Sequence, residues 1–380
     1  MTTLSEAHQQ WATRPADQRF GTLAELSDNV KARRLRSRSI DIDSGRTKVA
    51  SEDGKLIING TITPCEPTHW AFGQLSSVIG APAKYLRTLP QDLLVQNLNH
   101  GLETTPRETH KFMTIASEDG DTNTLQAITS PTYGRIWDAD CVDAVGRIVE
   151  RSNGRFHNPL AYAHKPGTAP NGFKTIDTSR TERAGLYASD RDVFMFMIDG
   201  GSFLDIGPRA QINRGFFVWN SEVGSRTFGL MTFLHNGCCG NNFVYGAHDI
   251  TKLIIRHTSG GPARFDQTAM PALLQYVNAS AKPVEDTIRA ASDKIIWDGK
   301  ADKAESFNGL LEYLDKAAKF SKAEVKSAID FAKAEEGDCR TLWQIVQGFT
   351  AYARGYDWVD ARIDLETRAG KLLDLATVAA

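Results

Sequence analysis

Apolar positions along this chain change their spacing from region to region. Between Thr68 and Gly101 they recur at helical intervals: Phe72, Leu75 and Ile79 share one face, and Gly80 and Pro82 supply a stop and a restart. Pro90 opens a further amphipathic segment carrying Leu93, Leu94 and Leu98, which Gly101 is expected to end. From His110 the period shortens. Residues 111–116 and 122–129 read as strands on either side of Glu118-Asp119-Gly120-Asp121, where Asp and Gly accept the positive φ of a hairpin turn. A helix is expected next, with Asp138 as N-cap, a stripe of Cys141, Val142, Val145, Ile148 and Val149, and Gly154 as its close. Strand-like runs follow at 156–164, 185–198, 202–206, 216–220, 225–234 and 252–257, interrupted by a long loop over 165–183. Beyond Arg264 the pattern is helical, and Ser321-Lys322-Ala323-Glu324 is a capping box.

These spacings predict an α+β fold. Its core, over 106–265, is a mostly antiparallel sheet with a packed helix, preceded by an N-terminal segment with a helical array over 1–105 and followed by a helical domain over 266–380. The 380 residues are 41% hydrophobic and 24% charged, enough for more than one packed core. The longest apolar run, Val193 to Ile198, is six residues, where a membrane span needs roughly 20. No membrane association is expected, and the polar start from Met1 to Trp11 predicts a cytoplasmic protein of its host cell. Five cysteines scattered over the chain fit reduced thiols.

A net charge of −2 excludes coating of nucleic acid through bulk charge, so any such binding needs a local patch. Two stretches are basic. Lys31, Arg33, Arg34, Arg36 and Arg38 fall within eight positions, although Asp28, Asp41 and Asp43 beside them fit a solvated face. Residues 206–265 hold Arg209, Arg214, Arg226, Lys252, Arg256 and Arg264 against two acids, Glu222 and Asp249. The helical tail from 270 onward, with 15 basic and 18 acidic residues interspersed, is a solvated surface.

The second basic stretch also carries the least ordinary local composition: residues 216–224 (FFVWNSEVG), His235 to Asn242 (HNGCCGNN) and Arg256-His257. A zinc site is disfavoured because adjacent Cys238 and Cys239 cannot readily both reach one tetrahedral ion. A thiol nucleophile would pair Cys239 with His235 or His257, with Glu222 to orient the base. Nucleic-acid binding would place Arg209, Arg214, Arg226, Lys252 and Arg256 on phosphates, with Phe216, Phe217, Trp219, Phe243 and Tyr245 offering faces for bases. A structural reading makes the same aromatics core residues, since strand side chains alternate between faces. Neither a phosphate-binding nor a dinucleotide loop is present, and no cofactor or metal is expected.

In combination, residues 216–224, Cys239-Gly240-Asn241 followed by Phe243-Val244-Tyr245-Gly246, and Arg256-His257 resemble the phage- and plasmid-associated proteins of domain-of-unknown-function family 932. Residues 68–75 (THWAFGQL), 82–90 (PAKYLRTLP), 187–192 (YASDRD) and Phe349-Thr350-Ala351 extend the resemblance over most of the chain. It singles out Asn220, Ser221, Glu222, Gly224, Cys239, Gly240, Asn241 and His257, and departs at Asn242, where a histidine is the expected residue. The resemblance implies a mobile-element protein and a distant relation to single-strand annealing proteins. The resulting expectation is a non-enzymatic, homo-oligomeric protein that binds single-stranded DNA and promotes annealing in recombination or replication. Two other classes stand beside it: a Cys/His-dependent enzyme, and a host-defence antagonist that binds a phage or host protein.

Overall fold

The computed structural model describes residues 15–61, 63–117, 122–158, 185–205, 211–236, 252–280, 282–300, 304–353, 365 and 368–376. The chain is α+β, with two mostly antiparallel six-stranded sheets and helices at both ends. Helix α1 (Leu23–Arg36) opens with a capping box between Thr22 and Glu25 and closes on Arg33, Arg34 and Arg36, cations that suit the negative end of the helix dipole. The basic run is thus the end of α1 and the start of β1 (Ser37–Asp43).

Strands β2 (Lys48–Glu52) and β3 (Lys55–Asn59) form a hairpin through Asp53 and Gly54, both at positive φ. With β4 (Cys65–Pro67), β5 (Thr109–Ile115) and β6 (Asn123–Thr129) they complete the first sheet, in the order β1-β5-β6-β4-β3-β2. Helices α2 (His69–Val78), α3 (Ala83–Leu86) and α4 (Gln91–Thr104) cover one face around Phe72, Leu75, Leu98 and Phe112. This sheet takes strands from both sides of residue 105, so the expected 105/106 boundary runs through it. Gly101 does not end α4. It lies inside the helix, where a Cβ would stand 2.8 Å from Ile79, and its role is to let that side chain approach.

Helix α5 (Asp138–Arg151) carries the expected apolar stripe, with Cys141, Val142, Val145 and Ile148 buried, and Gly154 follows it at positive φ. Strands β7 (Phe156–His157), β8 (Leu186–Ala188), β9 (Val193–Asp205), β10 (Gln211–Asn220), β11 (Phe228–Asn236) and β12 (Lys252–Ile255) form the second sheet, in the order β12-β11-β10-β9-β7 with β8 also on β9. The runs expected at 185–198 and 202–206 are β8 and one long β9; a register shift at Asn213/Gly215 bends the β9–β10 pair. Both faces of this sheet are buried, which explains its near-continuous apolar strands. Phe216 and Val218 face α1, α5 and α6 (Gly261–Asn278), while Phe217 and Trp219 pack with Phe194, Phe196 and Phe233 on the other side. Trp219 pairs with Gly229, and the missing side chain makes room for its indole.

Helices α7 (Lys282–Asp293), α8 (Ala304–Ala318), α9 (Lys322–Glu336) and α10 (Leu342–Ala353) build a separate core that reaches the second sheet through Leu204, Ile212 and Leu234. The capping box at Ser321 and Glu324 forms as expected. No helix among the described residues is long and apolar enough to cross a membrane. The loop expected over 165–183 and the 118–121 turn lie outside the described residues.

Candidate functional site

The segment that leaves β10, Asn220 to Ser225, is the place where the two sheets meet. Its backbone carbonyls are taken up one after another by side chains from elsewhere. Tyr133 Oη donates to Ser221 O at 3.0 Å, Arg135 donates to Glu222 O, and Trp70 Nε1 and Gln74 Nε2 donate to Val223 O at 3.0 and 2.9 Å. Gln74 also accepts from Ile128 N at 2.8 Å, which fastens the same loop to β6. Below it Val223 packs on Met113 and Ala127 of the first sheet, with Trp70 and Trp137 at the margin. A loop whose carbonyls left water unpartnered would be costly, and here each of these three finds a donor.

The side chains of the segment are equally committed. Asn220 Nδ2 donates to Ile136 O at 2.9 Å and to Asp138 Oδ1 at 2.8 Å. Ser221 Oγ accepts from Ser225 N at 3.0 Å. Glu222, 3% exposed, accepts from Arg33 Nη2 through Oε1 and from the Asp138 backbone N–H through Oε2, each at 3.2 Å. This corrects the expected cap: Asp138 is the first residue inside α5, Trp137 stands at the N-cap without a side-chain bond, and the anion at the helix start is Glu222. Arg33 further donates to Ser189 O at 2.6 Å, and Asp192 accepts from Ser189 Oγ at 2.8 Å and Arg226 Nε at 3.0 Å. Residues 68–75, 187–192 and 216–224, far apart in sequence, therefore build one joint.

Burial dominates the electrostatics. Desolvation, then the neighbouring Glu222 charge, holds the Asp138 carboxyl well above the usual carboxylate range. Burial likewise pushes the Tyr133 phenol and the Cys141 thiol up, so Cys141 is a core residue and not a nucleophile. His257 stacks on Tyr133 with ring centroids 5.0 Å apart, its Nδ1 3.3 Å from Gly134 O. Burial, helped by the Arg135 charge, lowers its pKa to about 4, so the imidazole is neutral at neutral pH.

The expected phosphate contacts divide. Arg214, 7% exposed, lies at the β9–β10 irregularity with Nε 2.8 Å from the fully buried Asp199, and donates to Tyr276, Val277 and Ala279 carbonyls at the end of α6. Arg226 pairs with Asp192 and lies over Phe194. Both guanidiniums hold the fold together; Arg214 is buried, whereas Arg226 is partly exposed beside Asp192. Phe216, Phe217 and Trp219 are entirely buried and cannot stack on bases. Lys252 and Arg256, by contrast, are exposed. Arg209, Cys239, Gly240, Asn241, Phe243 and Tyr245 lie outside the described residues; His235 stands on β11 opposite Asn213.

Compared with protein-family models, curated proteins and solved structures, the chain matches none. Among the described residues no group of three His, Cys, Asp or Glu side chains is placed to hold a metal ion. Composition and spacing did not point to Arg33, Tyr133, Arg135 or Asp192 as partners of the 216–224 motif. The available signal was Arg135 itself, an arginine set between Gly134 and the apolar pair Ile136-Trp137, where burial requires dedicated acceptors.

Proposed function

We propose that this chain binds single-stranded DNA at the corner where β12 runs into α6, and promotes strand annealing there. The observation that carries the reading is the juxtaposition of exposed cations with a half-buried aromatic stack. Lys252, Arg256 and Arg264 are exposed, and none forms an ion pair among the described residues. Lys252 is the first residue of β12 and Arg256 follows its last, Ile255. Arg264 Nη2 donates to Thr258 Oγ1 at 3.0 Å, and Thr258 bridges Tyr133, whose ring carries His257. Lys111 Nζ reaches the same corner, 3.1 Å from Tyr133 O. Cations that meet phosphates beside an aromatic surface are the ingredients of sequence-tolerant single-strand binding, and this chemistry needs no nucleophile. The resemblance of residues 216–224 and 256–257 to mobile-element proteins supports the same reading.

The test is a fluorescence-anisotropy titration of a labelled oligothymidine at several salt concentrations. Each phosphate contact on a single strand contributes about −0.7 to the slope of log K against log salt, so three contacts give a slope of about −2. Reversing Lys252 and Arg256 to Glu together is expected to abolish both slope and measurable affinity while leaving the unfolding transition in place. Absence of binding at about 50 mM salt, or binding that the double reversal leaves intact, overturns the proposal.

A further inference from the structure

Asp138 and Asn220 are 1% and 0% exposed, and Asn220 Nδ2 donates to Asp138 Oδ1 at 2.8 Å. The other oxygen of each group, Asp138 Oδ2 and Asn220 Oδ1, is buried with no donor. Both are acceptors, so an ionised Asp138 leaves neither satisfied. None of the cations nearby pairs with Asp138 among the described residues. Arg33 serves Glu222 and Ser189 O, Arg226 serves Asp192, and Arg135 gives Nη1 to Glu222 O and the Met113 sulfur, its buried Nε and Nη2 bonding no acceptor there. The start of α5 favours negative charge, and Glu222 and Asp140 are both placed there beside Asp138.

We propose that Asp138 is held as a neutral carboxylic acid at neutral pH, its proton donated to Asn220 Oδ1 so that acid and amide form a reciprocal pair, and that the joint between the two sheets assembles around this proton. One hydrogen then satisfies two buried acceptors and leaves Glu222 as the single anion against Arg33. The groups facing Asp138 agree with this. Burial and the Glu222 and Asp192 charges raise its proton affinity, Arg33 and the Asn220 bond oppose them, and Arg135, Tyr133 and Cys141 complete the surroundings. An unfolded chain releases the proton near an ordinary carboxyl pKa of about 3.9. The fold keeps it, so the contribution of Asp138 to stability is greatest below that value and declines as pH rises towards the folded pKa.

Infrared difference spectroscopy of the full chain tests this directly. At neutral pH the wild type minus Asp138→Asn spectrum is expected to show a protonated-carboxyl carbonyl band. The introduced amide would supply an N–H in place of the O–H, so the variant is expected to fold and to lose part of the decline in urea midpoint between acid and neutral pH. If the variant fails to fold, the wild-type spectrum decides alone through the presence or absence of the band at neutral pH. No such band, whether because Asp138 is ionised or because a bound cation replaces the proton, overturns the proposal.

Discussion

Removing the Arg214 guanidinium while keeping its volume, with Arg214→Met, separates a structural arginine from a ligand contact. Arg214 Nε lies 2.8 Å from Asp199 Oδ2, the Asp199 side chain is wholly buried, and three carbonyls at the end of α6 accept from the same guanidinium. Breaking a buried pair by deleting one partner costs about 3–5 kcal/mol because it strands the other charge. Arg155, 3.1 Å from Asp199 Oδ1 but over a third exposed, softens that loss. The α6 carbonyls push it back up, since a hydrogen bond involving a charged group contributes up to about 1.5–3 kcal/mol net of exchange with water. The expected loss is about 4 kcal/mol, read as a lower urea midpoint by tryptophan fluorescence with the m-value unchanged.

The decisive element is the double variant. Asp199→Asn removes the stranded charge, so Arg214→Met with Asp199→Asn is expected to be more stable than Arg214→Met alone, with a coupling of about 2 kcal/mol. Affinity for oligonucleotide in the folded range should not move. A loss below about 1 kcal/mol, or reduced DNA affinity in a fully folded Arg214→Met protein, would refute the reasoning and return Arg214 to the ligand surface.

Gly229→Ala would drive a Cβ into Cζ2 of the buried Trp219, so a loss of about 3 kcal/mol is expected in urea, with a changed near-ultraviolet circular dichroism of the indole. Adding Trp219→Phe should recover part of it. Titration of His257 gives a pH dependence of defined sign. With a folded pKa of about 4 against an unfolded value near 6.5, the unfolded chain takes up the proton first. Stability from this group is intact above about pH 6.5 and falls by about 3 kcal/mol as pH drops to 4, opposite in direction to Asp138. His257→Gln should flatten the acid limb of a urea-midpoint profile, and an unchanged limb would show that the ring is protonated in the fold.

Local rules made the helical elements and much of the second sheet legible. The stripe from Cys141 to Ile148, the close at Gly154 and the box at Ser321 and Glu324 each depend on neighbours three or four residues away, and each forms. The first sheet was harder to read. β1 is polar, β2 to β4 have five residues or fewer, and β4 joins β6 in parallel across more than fifty residues, a pairing no local pattern encodes. Gly101 shows the same limit. Its position suggests a helix end, yet the reason for glycine is Ile79 on another helix. In the candidate site, the FFVWNSEVG run stood out by composition, but the commitment of Arg214 and Arg226 to Asp199 and Asp192 depends on partners 15 and 34 residues away, so charge counting overstated the cations available to a ligand.

Buried charges rarely stabilise more than well-packed apolar groups of the same size would, so Glu222 and Asp192 with their arginines are hard to explain as stability alone. What they impose is geometry. Val223 could slide on Met113 and Ala127, but donors converging on Ser221 O, Glu222 O and Val223 O, together with Glu222 at the start of α5, admit one placement of the loop. Tyr133 is the member shared with the proposed binding corner, because its hydroxyl holds Ser221 O while its ring supports His257. A ligand seated on that ring would rest on a surface whose position the joint already fixes, and ordering a strand against a fixed surface costs less than ordering both.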